Sequence, residues 1–169
     1  MRLQLQRCYH ILLLAVLLAG CAAATPASDW RSTRVIGQAE QTTPPALVQQ
    51  DDQLIAAWVG GASGRETFQL RRITNGGADE QAALALTQRQ ARALQLVAGP
   101  PGTFHLFWLD FAADDTTTLY SALISSPDLA VLRGPFALSD APVFRYSAAT
   151  DDEGGALVAW SGGPESEPA

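Results

Sequence analysis

Ala156–Gly163 reads ALVAWSGG, and two earlier stretches share its pattern: LIAAWVGG at Leu54–Gly61 and HLFWLDF at His105–Phe111. Their tryptophans, Trp58, Trp108 and Trp160, lie 50 and then 52 residues apart. Short apolar strands at a near-constant period mark one supersecondary unit used more than once. Both faces of these strands are apolar, with Leu54, Ala56 and Trp58 on one side and Ile55, Ala57 and Val59 on the other. A sheet with one wet face would alternate cleanly, so the pattern calls for strands buried between neighbouring sheets.

Outward from each tryptophan strand the layout repeats. Ala46–Val48 precedes the first, a glycine-rich turn over Gly60–Gly64 follows it, and Thr67–Ile73 reads as its hairpin partner. Leu94–Ala98, the turn Gly99–Gly102, the strand Thr103–Leu109, a turn over Asp110–Asp115 and Thr117–Ile124 form the second copy. Trp58 precedes Leu70 by 12 residues, and Trp108 precedes Tyr120 by the same 12. The third copy offers Val143–Ala148, the acidic turn Asp151–Gly155 and Ala156–Ser161. The expected fold class is all-β: propeller-like repeats of about 50 residues in an incomplete ring, about two and a half units over residues 46–169. The competing architecture is a β-sandwich with one helix, because Ala83, Leu86, Gln90, Ala93 or Leu94, and Val97 fall near helical spacing behind Asp79-Glu80.

The remaining sequence divides into a leader, 1–20, and a tether, 21–45. Arg2 and Arg7 precede the apolar run Ile11–Ala19, which is too short to span about 30 Å of hydrocarbon as a helix. Residues 22–45 are rich in Ala, Thr, Ser, Pro and Gln and carry too little apolar surface to offset the entropy of ordering. The small-residue end of the leader is Leu18-Ala19-Gly20-Cys21, which resembles the lipobox of bacterial lipoproteins. That resemblance implies cleavage before Cys21, a thioether-linked diacylglycerol on its sulfur, and a lipid bilayer as partner. The expected location is the extracytoplasmic face of the cell membrane or outer membrane, held by acyl chains. Cys8 falls within the leader, so a mature chain would carry one cysteine and no internal disulfide.

Charge narrows the partners. Eleven arginines and no lysine stand against 17 carboxylates, a formal net charge of −6, and no arginine cluster focuses positive potential. An acidic surface of this kind repels phosphate backbones, which argues against nucleic acid. No cofactor is indicated. His105 is the only histidine after the leader and reads as structural, since no carboxylate or nucleophile is placed beside it. Asp51-Asp52, Asp114-Asp115 and Asp151-Asp152 are the candidate ligand or calcium loops, all in turns beside tryptophan strands. They lack the alternating spacing that wraps an ion, and solvated turns are the favoured reading.

From Pro45 to Gly163 the texture resembles bacterial surface lipoproteins with sialidase-like β-propeller repeats, although the Ser-x-Asp-x-Gly-x-Thr-Trp turn of that family is missing from every copy. The resemblance implies an arginine triad, a Tyr-Glu pair and an Asp acid. Arg65, Arg71, Arg72, Arg145, Tyr120 and Tyr146 are available, but no motif assigns them those roles. The expected function is therefore binding or scaffolding, of an envelope protein or a glycan, by a lipid-anchored protein that is not an enzyme. The alternatives are a sialidase-like glycoside hydrolase fragment whose catalytic groups lie mostly elsewhere, and a truncated fragment without independent function.

Overall fold

The tryptophan strands are the second strands of three antiparallel sheets. In a computed structural model the described residues are 43–50, 53–61, 66–74, 80–86, 90–112 and 116–163, all within the unit Ile36–Ala169. The first sheet has the order β1 (Ala46–Gln50), β2 (Gln53–Gly60), β3 (Thr67–Thr74), β4 (Glu80–Leu84). The second repeats it with β5 (Gln90–Ala98), β6 (Thr103–Phe111), β7 (Thr117–Ser125) and β8 (Val131–Ala137). Among the described residues a third sheet holds β9 (Val143–Thr150) and β10 (Ala156–Gly162). The fold is thus all-β with repeat units of about 50 residues in an incomplete, unclosed arrangement, as the tryptophan spacing implies.

The described residues contain no helix. The helical spacing over Asp79–Val97 is overridden: β4 takes Glu80–Leu84 and β5 takes Gln90–Ala98. Apolar side chains from two sheets converge on this segment, and burial of that kind outweighs the few tenths of a kcal/mol per residue by which Ala, Leu and Gln favour a helix. The turn expected from Asp110 also begins later, since β6 runs through Phe111.

Two seams hold the sheets together. Ile55, Ala57 and Val59 of β2 and Phe68 and Leu70 of β3 face Leu94 and Leu96 of β5 and Phe104, Leu106 and Trp108 of β6. Phe68 meets Trp108 edge-on with ring centroids 5.0 Å apart, and Tyr120 stacks on the same indole at 5.6 Å. The second seam is smaller: Leu109 and Leu119 pack with Val143, flanked by Phe111, Leu138, Tyr146 and Val158. Along β6, then, even-numbered residues serve the first seam and Leu109 and Phe111 the second, which is why the sequence is apolar on both faces.

The second seam is reinforced by polar clasps. Gln95 donates to the Tyr146 carbonyl at 3.3 Å and accepts from the Ala148 amide at 2.8 Å, a side chain doing the work of a strand ladder. Thr150 donates to the Ala98 carbonyl at 2.7 Å. The Tyr146 hydroxyl donates to the carbonyl of Ala93, a residue at φ +52° where the pairing of β5 with β6 slips between Arg92 and Gln95. The β9–β10 bend seats Gly154, at φ +81°, against the β5–β6 turn, where a Cβ would come within 2.6 Å of the Pro100 nitrogen. Only glycine satisfies both demands at that position.

Candidate functional site

The first strands, β1, β5 and β9, lie side by side, since β5 packs against both of the others. Their leading ends share one side of the structure with the β2–β3 and β6–β7 bends. Two buried carboxylates converge there on the start of β5. Asp110 of the second sheet accepts the Gln90 amide at 3.2 Å, and Glu66, just ahead of β3 in the first sheet, accepts the Ala91 amide at 3.1 Å. Both are almost fully buried, at 6% and 5% exposure. The Ala91 carbonyl is taken by the Thr43 hydroxyl at 3.4 Å. Buried carboxylates persist when hydrogen bonds replace lost water, and here backbone amides supply them.

Exposed side chains surround this pinned strand start. Arg92 is exposed, is steadied by a 2.9 Å bond from its guanidinium to the Gln90 side-chain carbonyl, and lies 4.5 Å over the ring of Phe111. Arg145 and Phe144 are exposed near the leading end of β9. A guanidinium held on an aromatic ring offers fixed donors beside an apolar face, the combination that a sugar with equatorial hydroxyls and axial C–H groups can use.

The sequence did not single out Glu66 or Asp110. Each is one carboxylate among 17, and the only local signal was Asp110 standing inside the apolar run HLFWLDF. The sites it did single out are scattered. Cys21 and Asp51, Asp52, Asp114 and Asp115 lie outside the described residues. The strands flanking the first and third acidic pairs bend at the trailing ends of β1 and β9, whereas those flanking the second bend at the leading end. Asp151 caps its own turn, its Oδ1 accepting the Glu153 amide at 2.9 Å and the Gly155 amide at 2.6 Å, and Asp152 is exposed. Among the described residues no group of three or more His, Cys, Asp or Glu side chains could hold a metal ion. His105 places Nε2 3.4 Å from the Gly154 carbonyl, between the second and third sheets.

Arg65 lies outside the described residues, and among those described the arginines and tyrosines of the sialidase comparison are not gathered. Arg72 pairs with Glu80 at 2.5 Å toward the trailing side, Arg145 sits near the leading end of β9, and Tyr120 is stacked on Trp108. Burial pushes the Tyr146 phenol well above its ordinary pKa, and a hydrogen bond with the Gln95 backbone offsets only part of that shift.

No family model matches the sequence, and no curated protein matches it. Solved structures do. The chain is similar to the GH43_1 enzyme from Xanthomonas citri complexed with xylotriose, at a TM-score of 0.51 and 18% identity over 68% of this chain. A second structure of the GH43_1 enzyme from Xanthomonas citri gives a TM-score of 0.50 at 18% identity over 69%. The chain spans only 38% and 39% of those proteins' lengths. At this identity the likeness is one of fold alone, shared with enzymes described as GH43_1. Two expectations are corrected by it: that the chain's role is binding or scaffolding alone, and that it is not an enzyme. The repeat texture reads the same in an inert propeller and in a hydrolase, because it records only how sheets pack.

Proposed function

We propose that the chain contributes sheets of a propeller-type glycoside hydrolase acting on a xylose-based oligosaccharide. The carrying observation is Arg92 held over Phe111 at the leading end of β5, on a strand start pinned by Glu66 and Asp110. The likeness to enzymes of family 43 supports the reaction class, and the xylotriose in one of them supports the sugar. Glycoside hydrolysis needs two carboxyl groups set across the bound sugar. Glu66 and Asp110 already hold backbone amides, so in this reading they position the strand, Arg92 and Phe111 grip the sugar, and further sheets add the acid and base.

Titration of the full chain with xylotriose, followed by NMR, tests this. Saturable shifts at Arg92, Phe111 and Phe144 are expected, with Arg92→Ala weakening binding about tenfold, the scale of one lost charge-assisted contact. Shifts that ignore Arg92→Ala, or an equal response to maltotriose, would sink the xylose site.

Leu18-Ala19-Gly20-Cys21 supports a second element of the reading: the chain is lipidated at Cys21 and displays its sheets outside the cytoplasmic membrane. Two or three acyl chains give stable retention where one gives marginal binding. In a bacterial host fed a palmitate analogue, the protein should take up label and sediment with membranes, and Cys21→Ser should do neither. Equal labelling of the two chains would refute the anchor.

A further inference from the structure

β5 departs from regular pairing with β6 at one point. Arg92 pairs with Leu109 and Gln95 with Phe107, so Ala93 and Leu94 together stand opposite Trp108. That is a β-bulge, and the extra residue reverses the alternation of faces along the strand. Before it, Ala91 belongs to the first seam, and Arg92 shares the face of Leu109 in the second. After it, Leu94 and Leu96 belong to the first seam, and Gln95 reaches across the second to β9. A regular strand with Leu94 and Leu96 in the first seam would carry Arg92 into that apolar core as well. The bulge turns it out, toward Phe111.

This conformation has a cost. Ala93 sits at φ +52°, in the left-handed region that disfavours any residue with a Cβ and where such bulges ordinarily carry glycine. Ala93 is exposed, so packing of its methyl group does not hold it there. The hold comes from the third sheet, whose Tyr146 hydroxyl donates to the Ala93 carbonyl while its ring lies 6.4 Å from that of Phe107. Burial keeps the phenol protonated and therefore a donor.

Bulges and strained backbone of this kind gather where a side chain must be aimed. The side chain aimed here is Arg92, 4.5 Å over the Phe111 ring and bonded to the Gln90 side-chain carbonyl at 2.9 Å. Asp110 and Glu66 fix the backbone ahead of it, at Gln90 and Ala91. The Tyr146 bond fixes the backbone behind it.

We infer that Tyr146 is a positioning residue for the Arg92–Phe111 site: it holds the Ala93 bulge in its left-handed form and so sets the guanidinium over the ring. As a statement about sugar binding this rests on the hydrolase reading, and as a statement about Arg92 it stands without it. The grip on a sugar then depends on the third sheet being docked, and by linkage a sugar held at Arg92 strengthens the docking.

Two NMR readouts on the full chain test this. In the free protein the Arg92 side-chain protons should be shifted upfield by the Phe111 ring, a shift that Phe111→Leu removes. Tyr146→Phe keeps the aromatic ring and loses the hydroxyl. It should abolish most of that shift and weaken xylotriose binding about fivefold, the scale of one hydrogen bond. Adding Ala93→Gly should restore both, because glycine adopts left-handed backbone without help. A Tyr146 that merely stabilised the seam would leave the Arg92 protons unmoved, and glycine would repair nothing. Unchanged Arg92 shifts in Tyr146→Phe overturn the inference, and so do shifts that are lost and not recovered with Ala93→Gly. Failure of the unaltered chain to bind xylotriose strikes the hydrolase reading alone, and the proton shifts then decide for or against Tyr146.

Discussion

Trp108 and Trp160 stand at the same place in the second and third sheets, and one is fully buried while the other is 48% exposed. Both are second-strand residues, and both follow the same apolar pattern. What differs is the company. Trp108 has Tyr120 stacked on it from a third strand and Phe68 against it from the sheet before. Trp160 has Tyr146 opposite on β9 and no strand on its other side among the described residues. A repeated motif thus fixes where a side chain sits in its strand, while burial is conferred by neighbouring strands.

This contrast sets the largest expected effect. Trp108→Ala should cost about 3–5 kcal/mol of stability in chemical denaturation, the range for emptying a buried aromatic site. Trp160→Ala should cost under about 1 kcal/mol, because water already reaches half of the ring. The indole nitrogen of Trp108 is buried without a hydrogen-bond partner among the described residues, so Trp108→Phe should retain much of the stability that Trp108→Ala loses. Equal costs at positions 108 and 160 would break the comparison.

The same contrast measures how much the sequence could say. Strands buried on both faces announced themselves: β2 and β6 read as apolar runs at a fixed period, and each lies inside a four-stranded sheet. The outer strands were illegible. β4, EQAAL, has the composition of a helix, and β8, VLRGPFA, carries the glycine and proline of a turn. They are strands because β3 and β7 offer them an edge, which is a tertiary fact. The candidate site was hidden for a related reason. Glu66 and Asp110 matter through the amides of Ala91 and Gln90, 25 and 20 residues away respectively, and no local motif encodes such a pairing. The acidic doublets were conspicuous because charge in turns is conspicuous, and in Asp151 the carboxylate serves to close its own turn.

The smallest expected effect tests the second seam through pH. The Tyr146 phenol is shifted upward by burial, and its hydroxyl is held by the Ala93 carbonyl. At neutral pH it is un-ionised both folded and unfolded, so its titration leaves stability unchanged. Above its ordinary value near 10 the unfolded chain loses the proton and the folded chain keeps it. Unfolding then releases a proton, and stability falls as pH rises from about 10 toward the raised folded value, by at most about 1.4 kcal/mol per pH unit. The half-buried position of Tyr146 makes the true slope shallower than that ceiling. Tyr146→Phe should lower stability at pH 7 by about 1 kcal/mol, the worth of one hydrogen bond, yet flatten the alkaline decline in denaturation midpoints between pH 9 and about 11. Parallel declines in the two proteins would mean that the seam opens before the phenol titrates. The third sheet would then be joined to the second by Gln95, Thr150 and the Gly154 turn, with Tyr146 contributing only its ring against Phe107, 6.4 Å away.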